Sequence, residues 1–303
     1  MKTFAPIFFS ALILSVVSVC LAADSAGAGV KVSVQGEGTQ LAFSFLDNNS
    51  PKTLDFIPNN PVMIRVGVQY KDLGASYGSG AGRQDKRYHV SSACRDLQLF
   101  YYAGRFGGDL YYQAYKGYYV DAAPGLPEGL YPGLKTRTYT GNLYYKIGGS
   151  ADLSAFNATL TPDKSSRYLL FAIASLSDRS VSSDKTLVPP AYRRTFPDFI
   201  PLRRFRAVNP SLSAGFLAPV SWGRIYLNSS LSAGLGFPLL HTNISLKQSY
   251  SVKVNLKIKT GYEGRRFSYG LIATGDGDAI EMANDQAVLF TSLGANVFMA
   301  VKF

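Results

Sequence analysis

Cysteine and histidine are scarce in this chain, with two of each among 303 residues. The histidines are His89 and His241, too few for a multi-histidine metal site, and Cys94 adds a single soft ligand. No metal and no cofactor is therefore expected. Long apolar runs are also missing: beyond the first 23 residues no segment approaches the roughly 18 uninterrupted apolar residues that a membrane helix needs. That excludes a helical membrane protein. Charged residues make up only 17% of the chain and tryptophan occurs once.

The first residues have the pattern of an export signal. Lys2 supplies a positive start, an apolar run extends from Ile7 to Val19, and the small residues Ala22 and Ala23 stand where cleavage would fall. The expected division is a signal peptide over 1–23, a lead-in segment rich in Gly, Ser, Asn and Pro over 24–61, and a β-domain over 62–303. The apolar run is short for a membrane anchor. A lipid-carrying Cys20 is disfavoured by Val19, which stands where a small residue would be needed. Cleavage after Ala22 or Ala23 removes Cys20 and leaves Cys94 alone, so no intrachain disulfide is available to the mature chain.

What is abundant points to strands and turns: 20 Tyr, 19 Phe and 29 Gly. From Pro61 onward, stretches of alternating apolar and polar residues recur between Gly, Pro, Asn, Asp and Ser clusters. In 248–260, Tyr250, Val252, Val254, Leu256 and Ile258 share one face, while Ser251, Lys253, Asn255, Lys257 and Lys259 share the other. Ile225, Leu227, Leu231, Leu235 and Phe237 likewise oppose Arg224, Tyr226, Asn228, Ser230 and Ser232, and Phe267, Tyr269 and Leu271 oppose Arg266 and Ser268. A soluble β-sandwich shows the same alternation. The aromatics crowded into 100–119 separate the two, because amphipathic rings placed near strand ends suit the interfacial girdles of a membrane barrel. At the end of the sequence, Ala295, Val297, Met299, Val301 and Phe303 form an alternating apolar set closing on an aromatic, the pattern expected of a membrane-insertion signal read by the barrel assembly machinery.

Strands are expected near 62–70, 73–79, 95–103, 106–120, 139–148, 168–177, 207–218, 222–237, 248–260, 264–275 and 287–303, with one or two before Pro61, where short strands are possible near 30–34 and 41–46. Single-chain bacterial barrels have even strand numbers, so the expected fold is an all-β, antiparallel transmembrane β-barrel of about 12 strands, with 10 and 14 as alternatives, in the bacterial outer membrane. Residues 178–206, with four prolines and Arg193, Arg194, Arg203, Arg204 and Arg206, are expected to form a long loop, extracellular or folded into the lumen.

Several segments resemble a family of outer-membrane barrels of Gram-negative bacteria catalogued as a domain of unknown function. The similar pieces are Asn60-Pro61 leading into Arg65 to Gly74, then Asp96-Leu97-Gln98-Leu99, then Gly108 to Gln113 with Tyr115-Lys116-Gly117-Tyr118-Tyr119, and more loosely Asn209 to Gly236. Ser175 to Pro190 departs from the Gln- and Ser-rich segment this resemblance implies. The resemblance implies a fold and a location and carries no catalytic residues.

The formal net charge of +11 becomes +10 once Lys2 leaves. For an exported chain the expected partners are outer-membrane lipid, lipopolysaccharide phosphates and anionic solutes rather than nucleic acid. Arg224, Lys253, Lys257, Lys259, Arg266 and Lys302 fall opposite the lipid-facing residues and form the candidate basic lumen, a wall that would favour anions. An equal alternative has some of these lysines only solvating the lumen or meeting lipopolysaccharide at the rim. Asp96, Arg105 and Asp109 are candidates for a satisfied polar network. Gly275-Asp276-Gly277-Asp278 with Glu281 and Asp285 lacks the ligand spacing of a calcium loop and is expected to be an acidic surface turn. The leading expectation is a non-enzymatic barrel, a narrow anion-preferring pore or a closed structural or surface-interaction barrel. The alternative is an outer-membrane enzyme acting on lipid or lipopolysaccharide through His241 with Ser245, or His89 with Ser91 and Ser92.

Overall fold

The computed structural model describes residues 29–47, 53–59, 62–82, 89–121, 129–156, 168–242, 248–282 and 286–303. The signal peptide expected over 1–23 lies outside the described residues. Fourteen strands are present among those residues: β1 (Val30–Asp47), β2 (Thr53–Pro58), β3 (Met63–Tyr70), β4 (Leu73–Gly82), β5 (Ser92–Ala103), β6 (Phe106–Asp121), β7 (Gly129–Gly149), β8 (Leu169–Ser182), β9 (Arg204–Trp222), β10 (Ile225–Gly236), β11 (Leu239–Thr242), β12 (Gln248–Glu263), β13 (Phe267–Met282) and β14 (Gln286–Lys302). All pairings are antiparallel, and twelve strands close a ring in which β2 and β11 are extras. The ring closes where β14 pairs with β1 from Lys31↔Lys302 to Asp47↔Gln286. Closure leaves no free edge, which rules out a β-sandwich.

The two ends of the ring differ. At one end lie both ends of the wall, Val30 and Lys302, with two-residue turns at Lys71-Asp72, Gly104-Arg105 and Gly223-Arg224. Lys71, Gly104 and Gly223 have φ of 51°, 53° and 63°, the left-handed first position that such tight hairpins require. The other end carries most of the longer connections, including 183–203. Short turns face the periplasm and long loops the exterior in barrels of this kind. We refer to them as the turn end and the loop end.

Alternation is inverted relative to a soluble protein. Leu143 and Leu212, pointing outward, are 70% and 67% exposed, whereas Asp96 and Asp278, pointing inward, are 2% and 1% exposed. Leu97, Leu99, Leu110, Leu231, Leu271 and Val297 continue the outer apolar belt. Tyr70, Tyr101, Phe106, Tyr145, Trp222, Phe267 and Tyr269 are exposed around its turn-end margin, an aromatic girdle. A closed ring with apolar groups outside and polar groups inside satisfies every wall amide without meeting lipid with a polar face. This is an outer-membrane barrel. No helix among the described residues is long and apolar enough to cross a membrane.

Three expectations are corrected. The wall starts at Val30, not at residue 62, because β1 runs unbroken through Gly36 and Gly38; its inward residues Ser33, Gln35 and Glu37 keep the alternation while its outward positions are small. β2 is also wall: it pairs with Phe43–Leu46 of β1 and with Tyr118–Asp121 of β6, closing the loop end above the shorter β3, β4 and β5. The aromatics of 100–119 do not all lie in a girdle, since Tyr102, Tyr115 and Tyr118 point inward and are buried.

Candidate functional site

The inward faces of the membrane-level strands enclose a polar cavity of about 260 Å³. Arg65, Arg179, Lys253, Lys257 and Lys259 project inward, and so do Glu37, Asp96, Asp109, Asp276 and Asp278. Cations and carboxylates are therefore balanced. The charges form local networks, as buried charge requires. Arg65 Nε donates to Glu37 Oε2 at 2.7 Å, its Nη2 to Asp96 Oδ2 at 3.2 Å and its Nη1 to Ser76 at 3.3 Å. Asp109 accepts from Asn142 at 2.6 Å, from the Tyr144 hydroxyl at 3.1 Å and from the Tyr102 hydroxyl. Asp278 accepts from Arg179 and from Asn209 Nδ2, the latter at 3.0 Å, and Asn255 donates to Asp276 at 2.6 Å.

Of the six residues of the expected basic wall, two line the chamber, Lys253 and Lys257, and a third, Lys259, points inward and is buried beside it. Lys253 stands beside Asp278 in the ladder. Lys257 Nζ donates to the carbonyl of Phe156 at 3.4 Å. Lys259 Nζ lies 4.6 Å from the Tyr226 ring centroid and 5.6 Å from that of Phe298, a cation held over two aromatic faces. Lys302 sits at the turn-end rim with Lys31, both paired to Glu263. Arg224 and Arg266 are solvent-exposed at turns. Their parity is the lumen's, but the strand has ended where they stand. Arg224 donates to the Tyr262 hydroxyl at 3.0 Å, and that bond raises its pKa above the ordinary guanidinium value.

Each end of the barrel holds a segment folded inward. At the loop end, 183–203 folds inward, so that Leu187, Val188, Tyr192, Phe196, Phe199 and Leu202 are buried. They pack on the inward faces of β1, β2 and β9; Phe45 stacks on Phe199 with centroids 4.3 Å apart, and Phe43 on Phe56 at 4.4 Å. The Tyr131 hydroxyl donates to the Leu187 carbonyl at 2.8 Å, fixing the segment to β7. At the turn end, the short 3-10 turn Leu153–Phe156 plugs the mouth against Tyr102, Phe171 and Leu217. Asn228 holds its Ala155 carbonyl at 3.4 Å.

Other expected residues fall as follows. Asp276 and Asp278 lie inside β13 and face the lumen, so the acidic surface turn is overturned: the intervening Gly275 and Gly277 are outward wall positions, not turn glycines. Asp285 lies outside the described residues. Asp96 and Asp109 belong to separate networks, and Arg105, exposed in a turn, joins neither. Ala295, Val297, Met299 and Phe303 are exposed on the outer wall and Val301 half-buried there, while Phe298 points inward against Tyr226 and Ile272. His89 is exposed at the loop end and Ser92 donates to the Gly117 carbonyl at 2.5 Å; the side chain of His241 and all of 243–247 lie outside the description. Cys94 is a buried free thiol. Among the described residues no group of three His, Cys, Asp or Glu is placed to hold a metal. Sequence reasoning missed Glu37, Arg65 and Arg179, whose inward direction follows from alternation once their strands are recognised.

The structure is similar to the outer membrane protease OmpT of Escherichia coli, at 8% identity and TM-score 0.41 over 91% of this chain and 97% of that one. It is also similar to the translocator domain of the autotransporter NalP of Neisseria meningitidis, at 10% identity and TM-score 0.45 over 100% and 98%. The toluene transporter TodX of P. putida is matched at 9% identity and TM-score 0.32 over 91% and 90%. At these TM-scores the likeness bears on neither role nor site. No curated protein sequence matches the chain. A family model does, over residues 30–301, from the first wall strand to the last. The chain belongs to the family described as a domain of unknown function, DUF4421.

Proposed function

We propose that this protein is a closed outer-membrane barrel whose sealed, charge-balanced chamber does not conduct, and whose role is exerted through its surfaces. The observation that carries this reading is the apolar segment packed inside each end, 183–203 at the loop end and Leu153–Phe156 at the turn end. The anion-preferring pore is less well supported. Its basic row on β12 has Asp276 and Asp278 beside it on the neighbouring β13 and shares the chamber with Asp109 of β6, and Lys257 is engaged in holding the turn-end segment. An enzyme acting on lipid or lipopolysaccharide finds little support at His89, where the neighbouring Ser92 hydroxyl is already committed to a backbone carbonyl.

The test is conductance in planar bilayers of the mature protein, with insertion verified by protease protection. Intact protein is expected to be silent. Replacing 186–201 by a short Gly-Ser linker and truncating Leu153 and Phe156 to Ser should produce discrete steps with weak ion preference, because the wall is charge-balanced. Anion-selective steps from the intact protein, weakened by neutralising Lys253, would overturn the closed reading in favour of the pore.

A further inference from the structure

The inner cations stand among carboxylates; a second set, on the outside of the wall, has one carboxylate partner among six residues. On β5 to β9 the outward positions at the loop end carry Arg95, Lys116, Lys135, Arg137, Arg204 and Arg206, all exposed. They fall on two adjacent rungs. One runs Arg95, Ala114, Arg137, Ser180, Arg206 across five strands, and the next runs Lys116, Lys135, Ser182, Arg204. At about 4.8 Å per strand, Arg95 and Arg206 are about 19 Å apart along the rung. Ala114, Ser180 and Ser182 separate the long cationic side chains with small ones, leaving clefts about one strand wide between positive walls.

Three further features distinguish this band from an ordinary solvated surface. Lys116 stands directly opposite Lys135 in the ladder, a like-charge pair that destabilises an antiparallel sheet unless an anion lies between. Among the described residues only Arg206 has a carboxylate partner, Asp178, at 2.6 Å; no described carboxylate reaches the other five. The charge is also polarised around the barrel: the described outward positions of β12, β13, β14, β1 and β3 include no Lys or Arg.

The height of the band names the partner class. The next outward rung toward the turn end is Leu97, Tyr112, Tyr139 and, on β8, Asp178, the partner of Arg206; the two tyrosine rings are 4.9 Å apart, and Leu99, Leu110 and Leu176 follow on the rung below. The cations therefore sit just above an aromatic margin and the lipid-facing belt, on the loop side. Phosphates of outer-leaflet lipid lie at that level. We propose that the outer wall of β5 to β9 binds the phosphorylated headgroup of lipopolysaccharide, with Arg95, Arg137, Lys116 and Lys135 holding phosphate and Tyr112 and Tyr139 meeting the first part of its acyl region. Arginine suits this because its planar fork accepts two phosphate oxygens at once. The proposal stands whether or not the lumen conducts.

The test uses the full mature protein folded in a zwitterionic detergent, titrated with bis-phosphorylated lipid A and, separately, with lipid A stripped of both phosphates. Binding is followed by native mass spectrometry. The loop-side variant R95Q/K116Q/K135Q/R137Q is compared with a turn-end variant that removes as many exposed cations, K71Q/R105Q/R265Q/R266Q. Heat-modifiable migration verifies that both are folded. The loop-side variant should bind phosphorylated lipid A at least about tenfold more weakly, as expected for several cations at a charged surface. The turn-end variant should match the intact protein, and stripped lipid A should bind weakly to all three. Equal affinity of the intact and loop-side proteins, equal loss in both variants, or equal binding of stripped lipid A would each overturn the proposal.

Discussion

The same strand face is polar at one level and apolar at another. On β1 the inward residues are Ser33, Gln35 and Glu37 in the lower half and Leu41, Phe43 and Phe45 in the upper half. β9 shows the same change, from Ser213 and Asn209 to Ala207 and Phe205, and β14 from Asn296 and Ser292 to Phe290 and Val288. What changes is the medium outside. At membrane level lipid covers the outer wall, so the apolar side chains go outward and the interior must satisfy polar groups by pairing them. Above the belt, water covers the outer wall, and the barrel becomes an ordinary protein with an apolar core. The chain is in effect two proteins stacked on common strands, one stabilised inside by ion pairs and the other by packing.

The largest test of that contrast strikes the paired interior. Arg65→Met removes the cation shared by Glu37 and Asp96 and leaves two buried carboxylates without it. We expect a loss of about 3–5 kcal/mol in reversible urea unfolding from liposomes. Replacing all three by apolar residues of similar volume should recover most of that loss; no recovery would mean the network specifies the wall and is not merely self-compensating. In the upper half, Phe56→Ala removes a ring that stacks on Phe43 and meets Tyr131 edge to face in the apolar core. A loss of about 3 kcal/mol is expected there, toward the low end for such truncations because the plug can settle into part of the space. A neutral result at Phe56 would indicate that the loop-end core contributes no stability to the barrel.

How much of this was legible in the sequence varies with what each feature depends on. β12 and β14 were legible because apolar residues alternate along them, and β10 because the alternation is broken only at Ser229 among its first four outward positions; the ring of twelve follows from counting such stretches. β1 was legible only in two pieces, 30–34 and 41–46, because its outward positions Gly36 and Gly38 between them are small and the pattern fades although the parity holds. Asp276 and Asp278 were misjudged for the same reason: glycine marks turns in most sequences, yet here it occupies an outer wall. Arg224 and Arg266 had the correct parity but stand just past strand ends, where parity no longer sets direction. Pairing was beyond reach altogether. That Arg65 meets both Glu37 and Asp96 depends on the register of β1, β3 and β5, about thirty residues apart on either side.

The outer wall offers the matching contrast at smaller magnitude. Leu256→Arg places a charge on the lipid-facing belt and should lower stability by about 2–3 kcal/mol, as arginine does near the bilayer midplane. Thr53→Arg, also outward and exposed but on β2 at the loop end, should change it by no more than about 0.5 kcal/mol. Equal effects would place the belt elsewhere on the wall. Among the ion pairs the smallest loss is expected at the rim, where Glu263 pairs with Lys31 and Lys302 and is partly open to water. Glu263→Gln should cost about 1 kcal/mol or less, and that cost should shrink as salt is raised, because screening weakens solvent-accessible pairs. The Arg65 variant provides the comparison: its loss should hardly respond to salt, since Arg65, Glu37 and Asp96 are all buried.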